Sequence, residues 1–176
     1  MLFAENFYML NENNEWYKPK EIIIPNTTTQ IGECQFLGLT QLTNFKIPSS
    51  VTSIGDNAFF NCISLTSIVI PEGVTSIGSY AFYGCSSLTS IVIPEGVTSI
   101  GEYAFAFCSS LTSIVIPDSV IFIDASAFYD CSSLTIYCEV PSQPDGWEEY
   151  WNYSDRPVYW AGQWEYVNGV PTLLFN

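Results

Sequence analysis

The sequence predicts a β-rich solenoid: a coil of 23-residue turns with a parallel sheet along it and a cap at each end. Three observations carry this. A phrase returns with a fixed period, its apolar residues fall into columns, and both ends of the chain abandon the phrase. Ser64–Ser86 reads SLTSIVIPEGVTSIGSYAFYGCS, and Ser87–Ser109 repeats it almost letter for letter as SLTSIVIPEGVTSIGEYAFAFCS.

The N-terminal piece, residues 1–18, holds two short apolar or aromatic runs on either side of NENN. It predicts a hairpin covering the first turn of the coil, because a solenoid with an open end exposes apolar side chains and unpaired strand edges.

Residues 19–140 form the coil. Five units follow one another without a gap, at 19–41, 42–64, 65–87, 88–110 and 111–133, and a partial sixth begins at Leu134. The first column is Leu42, Leu65, Leu88, Leu111 and Leu134. Ile22, Phe45, Ile68, Ile91 and Ile114 make the next, and Ile24, Ile47, Ile70, Ile93 and Ile116 the one after. Proline follows each time, at Pro25, Pro48, Pro71, Pro94 and Pro117. Within L-x-x-I-x-I the second half alternates apolar and polar residues and is rich in β-branched types, which reads as a short strand. Proline has no N–H to give a ladder and marks the strand's end. VTSIG reads as a second extended segment, and the stretch around YAF as a turn or a single helical turn. One unit cannot bury its Leu, Ile and Phe alone. Stacked units spaced ~4.8 Å apart can.

At 141–176 the style changes. Trp147, Trp151, Trp160 and Trp164 fall here, and Asn168-Gly169 between WEYV and VPTLLF is a hairpin signal. Tryptophan buries a large apolar area, so this piece reads as an aromatic cap.

LTIYCE at the sixth unit is one residue shorter than LTSIVI, which makes Ile136 and Cys138 inward and Tyr137 outward. Cys62, Cys85, Cys108 and Cys131 form a further column with the same period. Equivalent atoms on neighbouring strands lie ~4.8 Å apart, whereas bridged Cβ atoms lie ~3.8 Å apart. Zinc sites favour close pairs such as C-x2-C, and none occurs here. The column therefore reads as buried thiols used as small apolar side chains.

Composition limits the function. The chain has 176 residues, 48% hydrophobic and 16% aromatic, enough for one domain with a real core. Lys18, Lys20, Lys46 and Arg156 are its only cations, set against 18 acidic residues for a net charge of −14. A nucleic-acid interface needs clustered Lys and Arg to neutralise phosphate, so nucleic acid is excluded as a partner, and docking on anionic membranes is disfavoured for the same reason. No apolar run approaches the ~20 residues that span a bilayer, so no membrane insertion is expected. Nor does the N-terminal stretch have the basic and apolar regions of a signal peptide. With no histidine, the usual general base and the commonest zinc ligand are missing. No catalytic residue, metal site or cofactor is expected.

The pattern F-x-x-C-x-S-L-T-S-I-x-I-P-x-x-V-T-S-I-G-x-x-A-F resembles the BspA-type bacterial leucine-rich repeats over 19–140. It departs from the general leucine-rich pattern, because Ser50, Gly73, Gly96 and Ser119 stand where Asn or Cys is usual, with a valine after each. The resemblance implies a leucine-rich repeat fold. It also implies surface display and binding of host or matrix proteins, hence an extracellular or cell-surface location. The ending, with IYCE, W-x3-W and PVYW, resembles the terminal pieces that accompany this repeat, which implies a cap.

The candidate binding surface is the outward face of the strands: Thr66, Ser67 and Val69, then Thr89, Ser90 and Val92, then Thr112, Ser113 and Val115, and finally Tyr137. Ile23 and Lys46 extend its apolar column toward the N-terminus. A hydroxyl-lined sheet with an apolar stripe suits a protein or a glycan, while the same columns also follow from β-propensity and Thr–Thr pairing. Glu72, Glu95 and Asp118 stand in one column after the prolines, a calcium ladder on one reading and a solvated turn row on the other.

Three functions compete. The first is a non-catalytic binding or adhesion module. The second is a structural spacer, favoured by the near identity of neighbouring units. The third is a carbohydrate-binding or carbohydrate-active domain using Glu148, Glu149 and Asp155 among the tryptophans.

Overall fold

The computed structural model describes residues 9–10, 16–17 and 22–174. It is a β-solenoid of parallel strands, and no helix occurs among the described residues. At the N-terminus β1 (Met9–Leu10) pairs antiparallel with β2 (Trp16–Tyr17). The expected covering of the first turn by this hairpin, and Lys18 and Lys20, lie outside the described residues.

The turns of the coil contribute short strands to two parallel faces. The VTSIG segments build the flank sheet: β3 (Gln30–Ile31), β5 (Ser53–Ile54), β7 (Ser76–Ile77), β8 (Ser99–Ile100) and β10 (Phe122–Ile123), paired in that order. The L-x-x-I-x-I segments build the front sheet. There β4 (Asn44–Lys46) pairs with β6 (Ser67–Val69), and β9 (Ser113–Ile116) pairs with β11 (Thr135–Cys138), which pairs with β12 (Val158–Tyr159). Between these two blocks lies 88–93, joined to β6 by the single bridge Ser67–Ser90 and not laddered to β9. The expected continuous sheet is thus interrupted there. The letters LTSIVI at 65–70 and 88–93 are identical, so the difference comes from the neighbouring turns and not from propensity.

The third side of each turn closes by backbone bonds. Phe59 N–H donates to the Ala81 carbonyl at 2.7 Å, Phe82 N–H to Ala104 at 2.7 Å and Phe105 N–H to Ala127 at 2.8 Å. This side is a turn, not a helix, and its corner needs left-handed backbone. Asn57, Tyr80, Tyr103 and Ser126 all have φ between 52° and 57°.

The core is a set of ladders. Phe36, Phe59, Phe82, Phe105 and Phe128 are fully buried and stack ring on ring, with centroids 5.2–5.6 Å apart. Each β-sheet step fixes the offset between such rings, and the column buries large apolar area with favourable ring geometry. No disulfide joins the described cysteines. The thiols of Cys62, Cys85, Cys108 and Cys131 instead donate to the carbonyls of Phe36, Phe59, Phe82 and Phe105 at 2.9–3.3 Å. Burial pushes the Cys138 thiol up to about 12, which keeps it protonated and unreactive at neutral pH.

The repeat's letters fade at Pro141 but the coil keeps its path. Trp147 bridges Ile123 on the flank sheet, and its indole N–H donates to the Val120 carbonyl at 3.0 Å. Trp151 meets Phe128 edge-on at 6.0 Å, at the end of the phenylalanine column. Beyond β12, β13 (Trp164–Val167) and β14 (Val170–Leu173) form the antiparallel hairpin expected at Asn168-Gly169.

Candidate binding surface

Strand alternation puts Ile68, Ile91 and Ile114 into the core and turns Val69, Val92 and Val115 outward. Of the ten residues read from the sequence as the candidate surface, the pairings bring several into register. Ser67 bridges Ser90, Ser113 pairs opposite Thr135, and Val115 pairs opposite Tyr137. Exposure along this face is uneven. Ile23, Val69 and Val92 are 95%, 73% and 74% exposed, whereas Ser113, Val115 and Tyr137 are half-buried. The hydroxyl columns are partly committed: Thr66 donates to the Thr43 carbonyl at 3.1 Å, and Thr89 to Thr66 at 3.2 Å. Those hydroxyls offer a partner acceptor lone pairs and no proton.

The unevenness comes from the β13–β14 hairpin. Trp164 lies edge-on to Tyr137 with ring centroids 5.3 Å apart, and its indole N–H donates to the Cys138 carbonyl at 3.1 Å. From that anchor the hairpin tip stands over the front sheet. Tyr166, Gly169, Val170 and Pro171 face Val92, Ser113 and Val115 across a cleft of about 330 Å³. This cleft opens where the front ladder is interrupted, between 90–93 and β9. A hairpin was readable from Asn168-Gly169; its seat over the sheet was not.

The acidic column is regrouped. The carboxylates of Glu95, Asp118 and Glu139 all lie within 4.8 Å of one another, and Glu72 is not among them. Glu139 was not singled out from the sequence because it occupies the place where earlier units have proline. The shortened register gives the signal: opposite Ile116 the chain carries an N–H, and Glu139 donates it to the Ile116 carbonyl at 3.0 Å. Burial, then the charges of Glu95 and Asp118, raise the Glu139 carboxyl above the usual range, against an Asp118 N–H that lowers it. The Tyr166 phenol is also raised, by burial and by Glu139 and Glu95, which puts the hairpin and the acids in one electrostatic neighbourhood.

The other candidates lie outside this cleft. Trp147 and Trp151 are buried and offer no platform for a sugar ring. Glu148, Glu149 and Asp155 are exposed around them. On the turn side a second aromatic array escaped the sequence reading: Phe60 stacks on Tyr83 at 4.7 Å, followed by Phe107 and Tyr129. Its signal was in the columns, but Phe107 enters from the position next to Ala106. Only the first pair is stacked face to face; Phe107 is tilted by 58° on Tyr83 and meets Tyr129 edge-on at 68°.

The repeating turn, its phenylalanine and cysteine ladders and its proline-ended strands are what a family comparison recognises: the BspA type Leucine rich repeat region matches residues 13–135 in 6 copies. The chain belongs to the BspA-type leucine-rich repeat family. Solved structures agree. A leucine-rich repeat protein from Bacteroides ovatus is 42% identical over 68% of this chain and 30% of that one, with a TM-score of 0.61. The leucine-rich repeat protein of T. pallidum is 32% identical over 76% of this chain and 68% of that one, with a TM-score of 0.67. A leucine rich cell surface protein from Faecalibacterium prausnitzii is 36% identical over 82% of this chain and 39% of that one, with a TM-score of 0.64. The chain therefore spans less than half the length of two of these neighbours. No curated protein sequence matches it.

Proposed function

We propose that this BspA-type chain is a non-catalytic interaction module of a bacterial surface or secreted protein, and that it binds a protein partner through the outward face of its front sheet. One observation carries the reading: Val69 and Val92, at equivalent places in consecutive turns, stand more than 70% exposed beside the buried Ile68 and Ile91. A lone exposed valine is ordinary, but a column repeated along a sheet is a patch, and patches of this kind mark interaction sites. The surface location is supported by the name of the F. prausnitzii neighbour, which is a cell surface protein. In this reading 141–176 closes the C-terminal end of the coil.

The test is a binding screen of the purified chain against matrix proteins, cells and glycans, beside a variant with Val69, Val92 and Val115 changed to lysine. Binding that disappears in the variant is expected. Equal binding by both proteins would remove the front face from the reading, and retention on glycans alone would replace protein with carbohydrate as the partner.

A spacer role has its own support. Ser64–Ser86 and Ser87–Ser109 differ only at Ser79/Glu102, Tyr83/Ala106 and Gly84/Phe107, all off the front face. A surface shaped for one ligand varies from turn to turn. Deleting 88–110 from a longer parent protein without loss of binding would favour the spacer.

A further inference from the structure

The cleft under the β13–β14 hairpin is more selective than the face around it. Its floor comes from two turns, with Val92 from one and Val115 from the next, and its wall is Val170 and Pro171 of the hairpin. The lining also includes Glu95 and Glu139, whose carboxylates cluster with that of Asp118. At about 330 Å³ it is at the small end of ligand cavities, room for one long side chain. Among the described residues, the chain's own cations do not serve it. Arg156 donates to the carbonyls of Ser132 and Ser154 at 3.1 and 2.7 Å. Lys46 sits beside Val69 on the far block of the front sheet.

We propose that this cleft receives a lysine or arginine side chain from an extended segment of a partner protein. The inference rests on the interaction-module reading and names its partner's chemistry. The methylene stem lies along Val92, Val115 and Val170, and the charged head reaches the three carboxylates, as long cationic side chains do when they cover apolar surface and keep their heads polar. Charge complementarity favours this occupant twice. The cluster is three like charges held close together, and a cation relieves their repulsion as well as pairing with them. The chain's net charge of −14 steers a basic segment toward it.

The experiment selects random phage-displayed peptides on the immobilised full chain, at physiological salt without calcium. Enriched peptides are then titrated against the parent chain, against Glu95→Gln/Asp118→Asn/Glu139→Gln combined, against Val69→Lys on the front face outside the cleft, and against Ile121→Lys, exposed on the flank. Circular dichroism checks that the variants are folded; the neutral triple variant loses only repulsion and keeps the side-chain shapes. Enrichment of Lys or Arg flanked by apolar residues is expected, with affinity falling about tenfold in the triple variant and unchanged in Ile121→Lys. Peptides without basic residues, or peptides indifferent to the triple variant, would overturn the inference. If such peptides were lost in Val69→Lys, the interaction-module reading would stand with its site elsewhere on the face. Enrichment of no peptide at all would count against both. Binding that appears only with added calcium would assign the carboxylates to a metal and overturn the lysine or arginine reading.

Discussion

The middle of the coil and its last turn follow the same path by different means. At 65–110 two turns are nearly identical, and ring stacks on ring with planes 2–5° apart. At 141–159 the letters are unrelated, yet Trp151 takes the phenylalanine position and meets Phe128 at 86°. Trp147 takes up the flank sheet with a single bridge, and its N–H bonds the Val120 carbonyl, 27 residues earlier. The converse also holds, since identical hexapeptides at 65–70 and 88–93 are laddered in one case and bridged once in the other. The path of a turn is therefore set by the turn it lies on and the apolar volume it must fill. Its letters decide how rigidly that volume is filled.

Truncating the rings is the largest test of this difference. Phe105→Ala removes a fully buried ring from between Phe82 and Phe128, where neighbours above and below are fixed by backbone bonds and cannot collapse. The expected loss is about 3–5 kcal/mol. Trp151→Phe restores a ring of the column's own kind at the last turn and gives up the indole bond to Gln143. Its expected loss is about 1 kcal/mol, near the net worth of one hydrogen bond. Urea melts of both variants check the pair. A Trp151→Phe loss as large as that of Phe105→Ala would mean that the last turn is packed as tightly as the middle.

What could be read beforehand follows the same division. The columns Leu65, Ile68, Ile70, Ile77, Phe82 and Cys85 were legible because every turn buries the same atoms in the same place, so periodicity and burial coincide. Even the shortened register at Thr135–Cys138 was legible, since alternation around Tyr137 allows only one inward set. The seat of the hairpin was not. Asn168-Gly169 specifies a local turn, whereas the contact of Trp164 with Tyr137 joins residues whose patterns carry no reference to each other. The cleft and the uneven exposure of the front face depend on that long-range contact, about which local pattern is silent, whereas Glu139's place beside Glu95 and Asp118 follows from the shortened register.

A smaller effect separates the two regions at their glycines. In the coil, a Cβ added to Gly101 would lie 2.5 Å from the Ser79 nitrogen and 2.7 Å from the Gly78 carbonyl carbon. These are backbone atoms of the neighbouring turn, so the turns must part. Gly101→Ala is expected to cost about 1–3 kcal/mol, the range for overpacking. Gly162, past the last turn, has φ +87° and nothing within 4 Å of the added atom. Gly162→Ala bears only the left-handed backbone cost of about 1–2 kcal/mol, and it leaves the coil undisturbed. Hydrogen exchange discriminates the two. Gly101→Ala speeds exchange in β7 and β8, and Gly162→Ala confines any change to the hairpin; fast exchange in the coil of Gly162→Ala would show that the hairpin clamps the front sheet.

The smallest effect tests the hairpin's cleft electrostatically. Glu139 is held above the ordinary carboxylate range by burial, Glu95 and Asp118. The folded chain thus binds this proton more tightly than the unfolded chain does, and stability declines as pH rises from the ordinary value through the raised one. Below the ordinary value both states are protonated and the penalty is absent. Glu139→Gln keeps the shape and removes the charge, so it should stabilise the protein at neutral pH by about 0.5 kcal/mol, the scale of partly exposed charge pairs. That gain should vanish as pH falls below the ordinary carboxylate range. Thermal melts of parent and variant across that range measure it. A gain that persists in acid would trace to packing of the amide, and no gain at neutral pH would mean that solvent already screens the three carboxylates from one another.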